Sequence, residues 1–202
     1  MKYALYCIFH PADGFWCLTR EKQASVASAN ALLLIFIIVE ILKYTATSFQ
    51  FVFVNPEYYS AVYTILSILI PVCLWSVANW GFTTLMNGKG KLSDIYIATI
   101  YAFTPYVLLN AVGIVMSRII TYEEGQLYRT MLVISVIWSG MLVLVAMMQI
   151  HDYTLLRAFA SSLLAIAGIA FMLFIFMLFF SLISDAIMYF ISLYREIVFR
   201  FY

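Results

Sequence analysis

The sequence predicts an all-α integral membrane protein: a bundle of five transmembrane helices with an amphipathic N-terminal segment and an apolar C-terminal tail. Three observations carry this prediction. Apolar residues make up 65% of the 202 and charged residues only 10%, whereas soluble domains run near half apolar and a quarter charged. Five stretches are long enough to cross hydrocarbon, which takes about 20 predominantly apolar residues of helix. Polar and helix-breaking residues punctuate the intervals between them. So much apolar surface has no place in water, and the solvent is lipid. With 11 basic and 10 acidic residues and a net charge of +1, the chain offers no cationic patch to nucleic acid.

The first 24 residues precede the spans. Pro11, Asp13 and Gly14 read as a turn, and Phe9–Lys22 mixes Phe15, Trp16 and Leu18 with Thr19, Arg20, Glu21 and Lys22. This pattern suits an amphipathic piece on the membrane surface. The apolar start is cut by His10 and Pro11, too soon for a cleaved signal, so the first span is expected to act as the insertion signal. Residues 25–185 are expected to form one five-span domain. The first span runs from Ser25 to about Thr47. The second begins at Asn55-Pro56, where Asn55 caps and Pro56 takes the first helical position, and stops at Asn87-Gly88-Lys89-Gly90. Ser93 caps the third, with Asp94 against the positive end of the dipole, and that span reaches Arg118. The fourth covers Leu127 to Ile150. The fifth follows Asp152 as its cap and ends near Ser184-Asp185. The tail, residues 186–202, carries Arg195, Glu196 and Arg200 and either extends the fifth helix or lies flat at the interface.

Helix association in lipid relies on small residues and interhelical hydrogen bonds. Ser135, Ser139, Ala146 and Gln149 share a face of the fourth span; Ser161, Ala165 and Gly168 share one in the fifth. Tyr106, Asn110, Gly113 and Ser117 do so in the third, and these faces are expected to meet. Pro71 and Pro105 remove the bonds to the carbonyls of Ser67 and Tyr101. In lipid those carbonyls need other donors, and Thr104 and Ser67 stand nearby in the sequence.

Glu40 is the carboxylate deepest in a span, and Lys43 three residues on predicts an ion pair with the lysine snorkelling. Asn79, on one face with Ser76 and Thr83 between Trp75 and Trp80, reads as an interhelical hydrogen-bonding group. Lys89 and Lys91 in the second loop suit anionic headgroups or a cytoplasmic partner. His10 and His151 have no second His or Cys at ligand spacing, so neither a metal site nor a cofactor is expected. Cys7, Cys17 and Cys73 form no C-x-x-C pair. No grouping of serine, histidine and acid lies within the spans to support acyl transfer or hydrolysis. With the N-terminus inside, Lys2, Arg20, Lys22, Lys89, Lys91 and Arg157 fall inside, against Lys43, Arg118, Arg129, Arg195 and Arg200 outside. That balance of six against five, with Lys2, Arg20 and Lys22 clustered beside the first span, favours a cytoplasmic N-terminus and a C-terminus outside.

Several segments together resemble the bacterial branch of the Ypt-interacting protein (Yip) domain family. They are His10-Pro11-Ala12-Asp13-Gly14-Phe15-Trp16, Ala78-Asn79-Trp80, Gly88-Lys89-Gly90-Lys91-Leu92-Ser93-Asp94, and Ile100-Tyr101-Ala102-Phe103-Thr104-Pro105. The Asp-Leu-Tyr-Gly-Pro element of the trafficking members is absent, which argues against a role with small GTPases. The resemblance implies five spans, a cytoplasmic N-terminus and an accessory role beside transporters, ATP-driven (ABC) ones especially. The reading is a non-enzymatic accessory or scaffold protein of the bacterial plasma membrane, its partners the lipid bilayer and another membrane protein, with homo-oligomers left open. Its expected surfaces are the loop Asn87–Asp94, including Lys89, Lys91 and Asp94, the Pro105 region behind it and the N-terminus. The rival reading is a bundle that moves a solute, ion or lipid through a cavity lined by Glu40, Asn79, Asn110 and Pro105.

Overall fold

A computed structural model describes residues 2–51 and 59–201. Their regular elements are all helical: α1 (Lys2–Phe9), α2 (Pro11–Arg20), α3 (Val26–Thr45), α4 (Ala61–Leu85), α5 (Leu92–Ala102), α6 (Thr104–Met116), a 3-10 turn (Tyr122–Glu124), α7 (Gly125–His151) and α8 (Leu155–Phe201). Five stretches are long and apolar enough to span a membrane: α3, α4, α5 with α6, the 3-10 turn with α7, and α8. The protein is a multi-pass helical membrane protein. Helix α7 is the hub, packing against α2, α5, α6 and α8; α4 pairs with α5 and α8, and α3 lies against α5 and α6.

Local signals set most of the boundaries. Ser25 caps α3, its hydroxyl accepting from the Ser28 N–H at 3.2 Å while the Ser28 hydroxyl accepts from the Ser25 N–H at 3.0 Å, a reciprocal capping box. The expected start of the second span at Asn55-Pro56 lies outside the described residues. There the described helix begins at Ala61, with the Ser60 hydroxyl accepting from the Tyr63 N–H at 3.4 Å. Ser93 is not the cap of the third span: α5 begins at Leu92, and Asp94 reaches back to accept from the Lys91 N–H at 3.2 Å. Asp152 does not cap α8. It ends α7 in the left-handed conformation, φ 55°, which Asp adopts more readily than most residues other than glycine.

The two prolines behave differently. Pro71 lies inside a continuous α4, and the Ser67 hydroxyl donates to the Thr64 carbonyl at 2.8 Å rather than serving the break. At Pro105 the third span divides into α5 and α6 around Phe103. Here the expected compensation is present: the Thr104 hydroxyl donates to the Tyr101 carbonyl at 2.6 Å. The small-residue faces are buried contact surfaces. Ser135, Ser139, Ala146, Ser161, Ala165, Asn110 and Ser117 are each at most 1% exposed.

The N-terminal segment departs from the expected turn. Pro11, Asp13 and Gly14 lie within α2, because Pro11 takes the first helical position where its missing N–H costs nothing; the chain reverses at His10 instead. The two short helices pack on each other, and α2 also packs on α7 and α5. Cys7 and Phe15 are fully buried in this contact, and burial pushes the Cys7 thiol up to about 12. Gly14 permits the approach: a Cβ there would stand 2.9 Å from Cys7 Cα. Of the two expectations for the tail, the helical continuation holds, since α8 runs unbroken through 185 to Phe201.

Gly14→Val is therefore expected to separate α1 from α2 and to cost about 1–3 kcal/mol, read as a lowered unfolding temperature in detergent. Gly81→Ala, with nothing within 4 Å of its would-be Cβ, should leave the protein as stable or raise stability by up to about 1 kcal/mol. Equal loss in both variants would contradict the hairpin packing.

Candidate functional site

Polar side chains gather at three places: within the α3–α6 contact, along the α6–α7 contact, and at the end of the bundle where α2, the α4–α5 loop and the α7–α8 turn meet. In the first, Glu40 of α3 is only 8% exposed. The Tyr106 hydroxyl of α6 donates to Glu40 Oε1 at 2.5 Å, and Lys43 Nζ donates to the Tyr106 oxygen at 3.0 Å and to Glu40 Oε1 at 3.5 Å. The expected Glu40–Lys43 pair is present, but it is a triad. Tyr106 closes it from another helix, and the sequence held no local signal of that, since the partners lie 66 positions apart. A carboxylate at this depth is tolerable only when its charge is paired and hydrogen-bonded.

The second group follows from the Pro105 break. Tyr106 has its N–H free of a full helical turn behind it, and Ser139 of α7 accepts that N–H at 3.1 Å. One turn on, Asn110 Nδ2 donates to the Tyr106 carbonyl at 2.8 Å and to Ser135 Oγ at 3.4 Å. Pro105 and Asn110 are thus brought to one seam. Asn79 is not: it is fully buried in α4, and its amide finds no hydrogen-bond partner among the described residues. Two further bonds tie α3 to α5, from Tyr101 to Ser28 at 3.1 Å and from Tyr96 to Asn30 at 2.7 Å.

At the third place Asp152 is the centre. Arg20 of α2 donates to Asp152 Oδ2 at 2.5 Å and Lys89 of the α4–α5 loop does so at 2.9 Å. These two donors hold its carboxyl below the usual carboxylate range. Beside it the Gly90 N–H donates to His151 Nδ1 at 3.2 Å. Gly90 must be glycine for this approach, since a Cβ would come within 2.7 Å of the imidazole Cε1. The Tyr153 hydroxyl donates to the Met86 carbonyl at 3.2 Å and closes the same corner. Lys89 is thus bound to its own chain, whereas the Lys91 side chain is exposed. His151, which no spacing rule marks, is 2% exposed; its role comes from a loop 61 positions away.

A mid-span cavity of about 470 Å³ lies between α4, α5, α7 and α8. Pro71, Trp75, Phe103, Gly140 and Ser162 are among its lining, and Glu40, Asn79, Asn110 and Pro105 are not.

The family model described as the Yip1 domain matches residues 5–179. The chain belongs to the Yip1 domain family. No curated protein and no solved structure matches it. The Yip1 match spans α2, the complete triad and the Asp152 corner, and it stops within α8 at residue 179.

Tyr106→Phe removes one hydrogen bond to a buried charge and is expected to cost about 1.5–3 kcal/mol. Glu40→Gln with Tyr106→Phe should cost less than the sum of the single changes, because the charge that needed the hydroxyl is gone. Thermal unfolding of the four proteins of this cycle in one detergent checks it; additive losses would show the two groups to be uncoupled.

Proposed function

We propose that this Yip1-domain protein is a non-enzymatic accessory or scaffold subunit of the bacterial plasma membrane that associates with another membrane protein, a transporter such as an ABC system. The observation that supports the reading is α8. It has 47 residues, about 70 Å of helix at 1.5 Å per residue, against roughly 30 Å of hydrocarbon. Every residue from 173 to 200 is exposed, among them Phe176, Phe180, Phe190 and Phe199. Lipid covers one membrane's thickness of such a helix and leaves an exposed remainder, mixing Phe180, Phe190 and Phe199 with Asp185, Arg195, Glu196 and Arg200, that a partner can cover. Residues 180–201 of α8 lie beyond the Yip1 match.

The rival reading, a solute pathway past Glu40, Asn79, Asn110 and Pro105, finds less support. Glu40 is engaged at the α3–α6 seam and Asn110 at the α6–α7 seam, and the 470 Å³ cavity includes none of the four. Polar groups placed at helix contacts hold a bundle together.

The reading includes a cytoplasmic N-terminus. Asp152 ties α2, the α4–α5 loop and the α7–α8 turn into one end of the bundle. That end carries Arg20, Lys22, Lys89, Lys91 and Arg157, whereas Lys43, Arg118 and Arg129 flank the opposite ends of α3, α6 and α7 and Arg195 and Arg200 lie far along α8. The cluster of Arg20 and Lys22 beside the first span favours the inside for the first group.

A photo-crosslinking residue at Phe190 is expected to yield an adduct with a second polypeptide in native membranes, and one at Leu66, on the outer surface of α4, is expected to yield lipid adducts only. Lipid adducts alone from Phe190 would remove the ground for a partner on α8. In a cysteine-free background, Lys22→Cys should react with a membrane-impermeant maleimide only after the cells are opened; labelling of intact cells would reverse the topology.

A further inference from the structure

Beside the Asp152 corner is a second cavity, of about 410 Å³, with Asn87, Lys89, His151, Asp152, Tyr153 and Arg157 in its lining. Its chemistry is that of an anion site. Arg157 is exposed on the first turn of α8 and makes no ion pair with a carboxylate among the described residues. Lys89 stands across from it. The carboxylate in the lining, Asp152, is already held by Arg20 and Lys89, so with Arg157 three basic side chains outnumber the two carboxylates here, Asp152 and Asp94.

Two sets of N–H donors add to the charge. The first backbone N–H groups of α8 lie at this corner, where the helix dipole is positive and no earlier turn exists to accept from them; the first helical bond there is from Ala158 to the Thr154 carbonyl. The second is His151. Its Nδ1 accepts from the Gly90 N–H, so the ring proton of the neutral imidazole is on Nε2. Nε2 is buried and has no acceptor among the described residues, in a side chain that is 2% exposed and stacked on Tyr153 with ring centroids 5.2 Å apart. A buried donor without an acceptor costs free energy, and His151 is one of the residues that line this cavity.

We propose that this corner binds a phosphate group, with Arg157 and Lys89 supplying charge and His151 Nε2–H with the α8 N-terminus supplying hydrogen bonds. Leu155 and Leu156 follow at once, 62% and 78% exposed, so acyl chains attached to that phosphate would lie along apolar helix. A lipid headgroup and free phosphate share this recognition chemistry. The site is independent of any partner on α8.

The test uses the whole protein, delipidated in neutral detergent and titrated with short-chain phosphatidylglycerol, short-chain phosphatidylcholine and inorganic phosphate, with binding followed by thermal shift. Phosphatidylglycerol is expected to stabilise more than phosphatidylcholine. Arg157→Gln and Lys89→Gln should each weaken that binding about fivefold, the effect of one basic residue near an anionic surface. Arg195→Gln, far along α8, should not. Asp152→Asn should tighten binding, because it releases Lys89 and removes the acid; a corner that is only structural would show no such gain. Inorganic phosphate that competes with the lipid supports the site with phosphate itself as the recognised group, and inorganic phosphate that binds where the lipid does not assigns it to the free anion. Equal stabilisation by both lipids with no effect of phosphate, or wild-type binding in Arg157→Gln, would overturn the proposal.

Discussion

A proline donates no hydrogen bond, and in hydrocarbon no water stands ready to take the place of the one it omits. At Pro105 this constraint organises the centre of the bundle. The carbonyl of Tyr101 is served by the Thr104 hydroxyl, and the N–H of Tyr106 is taken by Ser139 of α7. Only because the third span divides into α5 and α6 can each half keep its own alignment with its neighbours. The first packs on α3, α4 and α7 and the second on α3 and α7. The Tyr106 that emerges from the break is the residue that reaches Glu40. The break, the seam to α7 and the neutralised carboxylate are therefore one arrangement, and α4 shows the contrast: Pro71 is absorbed within a continuous helix and no comparable network forms around it among the described residues.

The two charged groups solve different problems. Glu40, Lys43 and Tyr106 lie against an apolar contact, where an uncompensated charge would be prohibitively costly. Their geometry is compact because it has to be. Arg20, Lys89 and Asp152 are partly exposed, with side chains 40%, 66% and 35% accessible, and exposed pairs of this kind contribute little each. Their effect is connectivity. One carboxylate joins the N-terminal hairpin, the α4–α5 loop and the α7–α8 turn, adding a polar tie to the packing of Phe15, Leu18 and Tyr153.

How much of this is legible in the sequence follows from the range of each interaction. The spans, the small-residue faces and the Glu40–Lys43 pair are periodic or within a few residues, so spacing reveals them. Thr104 as the donor beside Pro105 is adjacent in sequence and was legible for the same reason. Tyr106 with Glu40, Gly90 with His151 and Asp152 with both Arg20 and Lys89 join residues 61 to 132 positions apart, and no local pattern encodes such meetings. The N-terminal turn was misplaced because Pro11, Asp13 and Gly14 suit a turn and a helix start alike. Only the packing of Gly14 on Cys7 decides between them.

The placement of polar groups also fixes where this protein can be recognised. Within the bundle, Glu40, Asn110, Ser135 and Ser139 face other helices, and what remains outward is mostly Leu, Ile, Val and Phe, with Trp80, Trp138 and Met141 among them. Such a surface discriminates one helix from another by shape, since lipid tails are as apolar as the side chains themselves. Chemical discrimination falls to the ends, and the two ends are unequal. One presents the exposed length of α8 beyond residue 179, where Phe180, Phe190 and Phe199 stand among Asp185, Arg195, Glu196 and Arg200. The other presents glycine-flanked lysines and an arginine around a buried imidazole N–H. A partner held along α8 and an anion held at the Asp152 corner would grip the same 47-residue helix at its distal length and at its first turn.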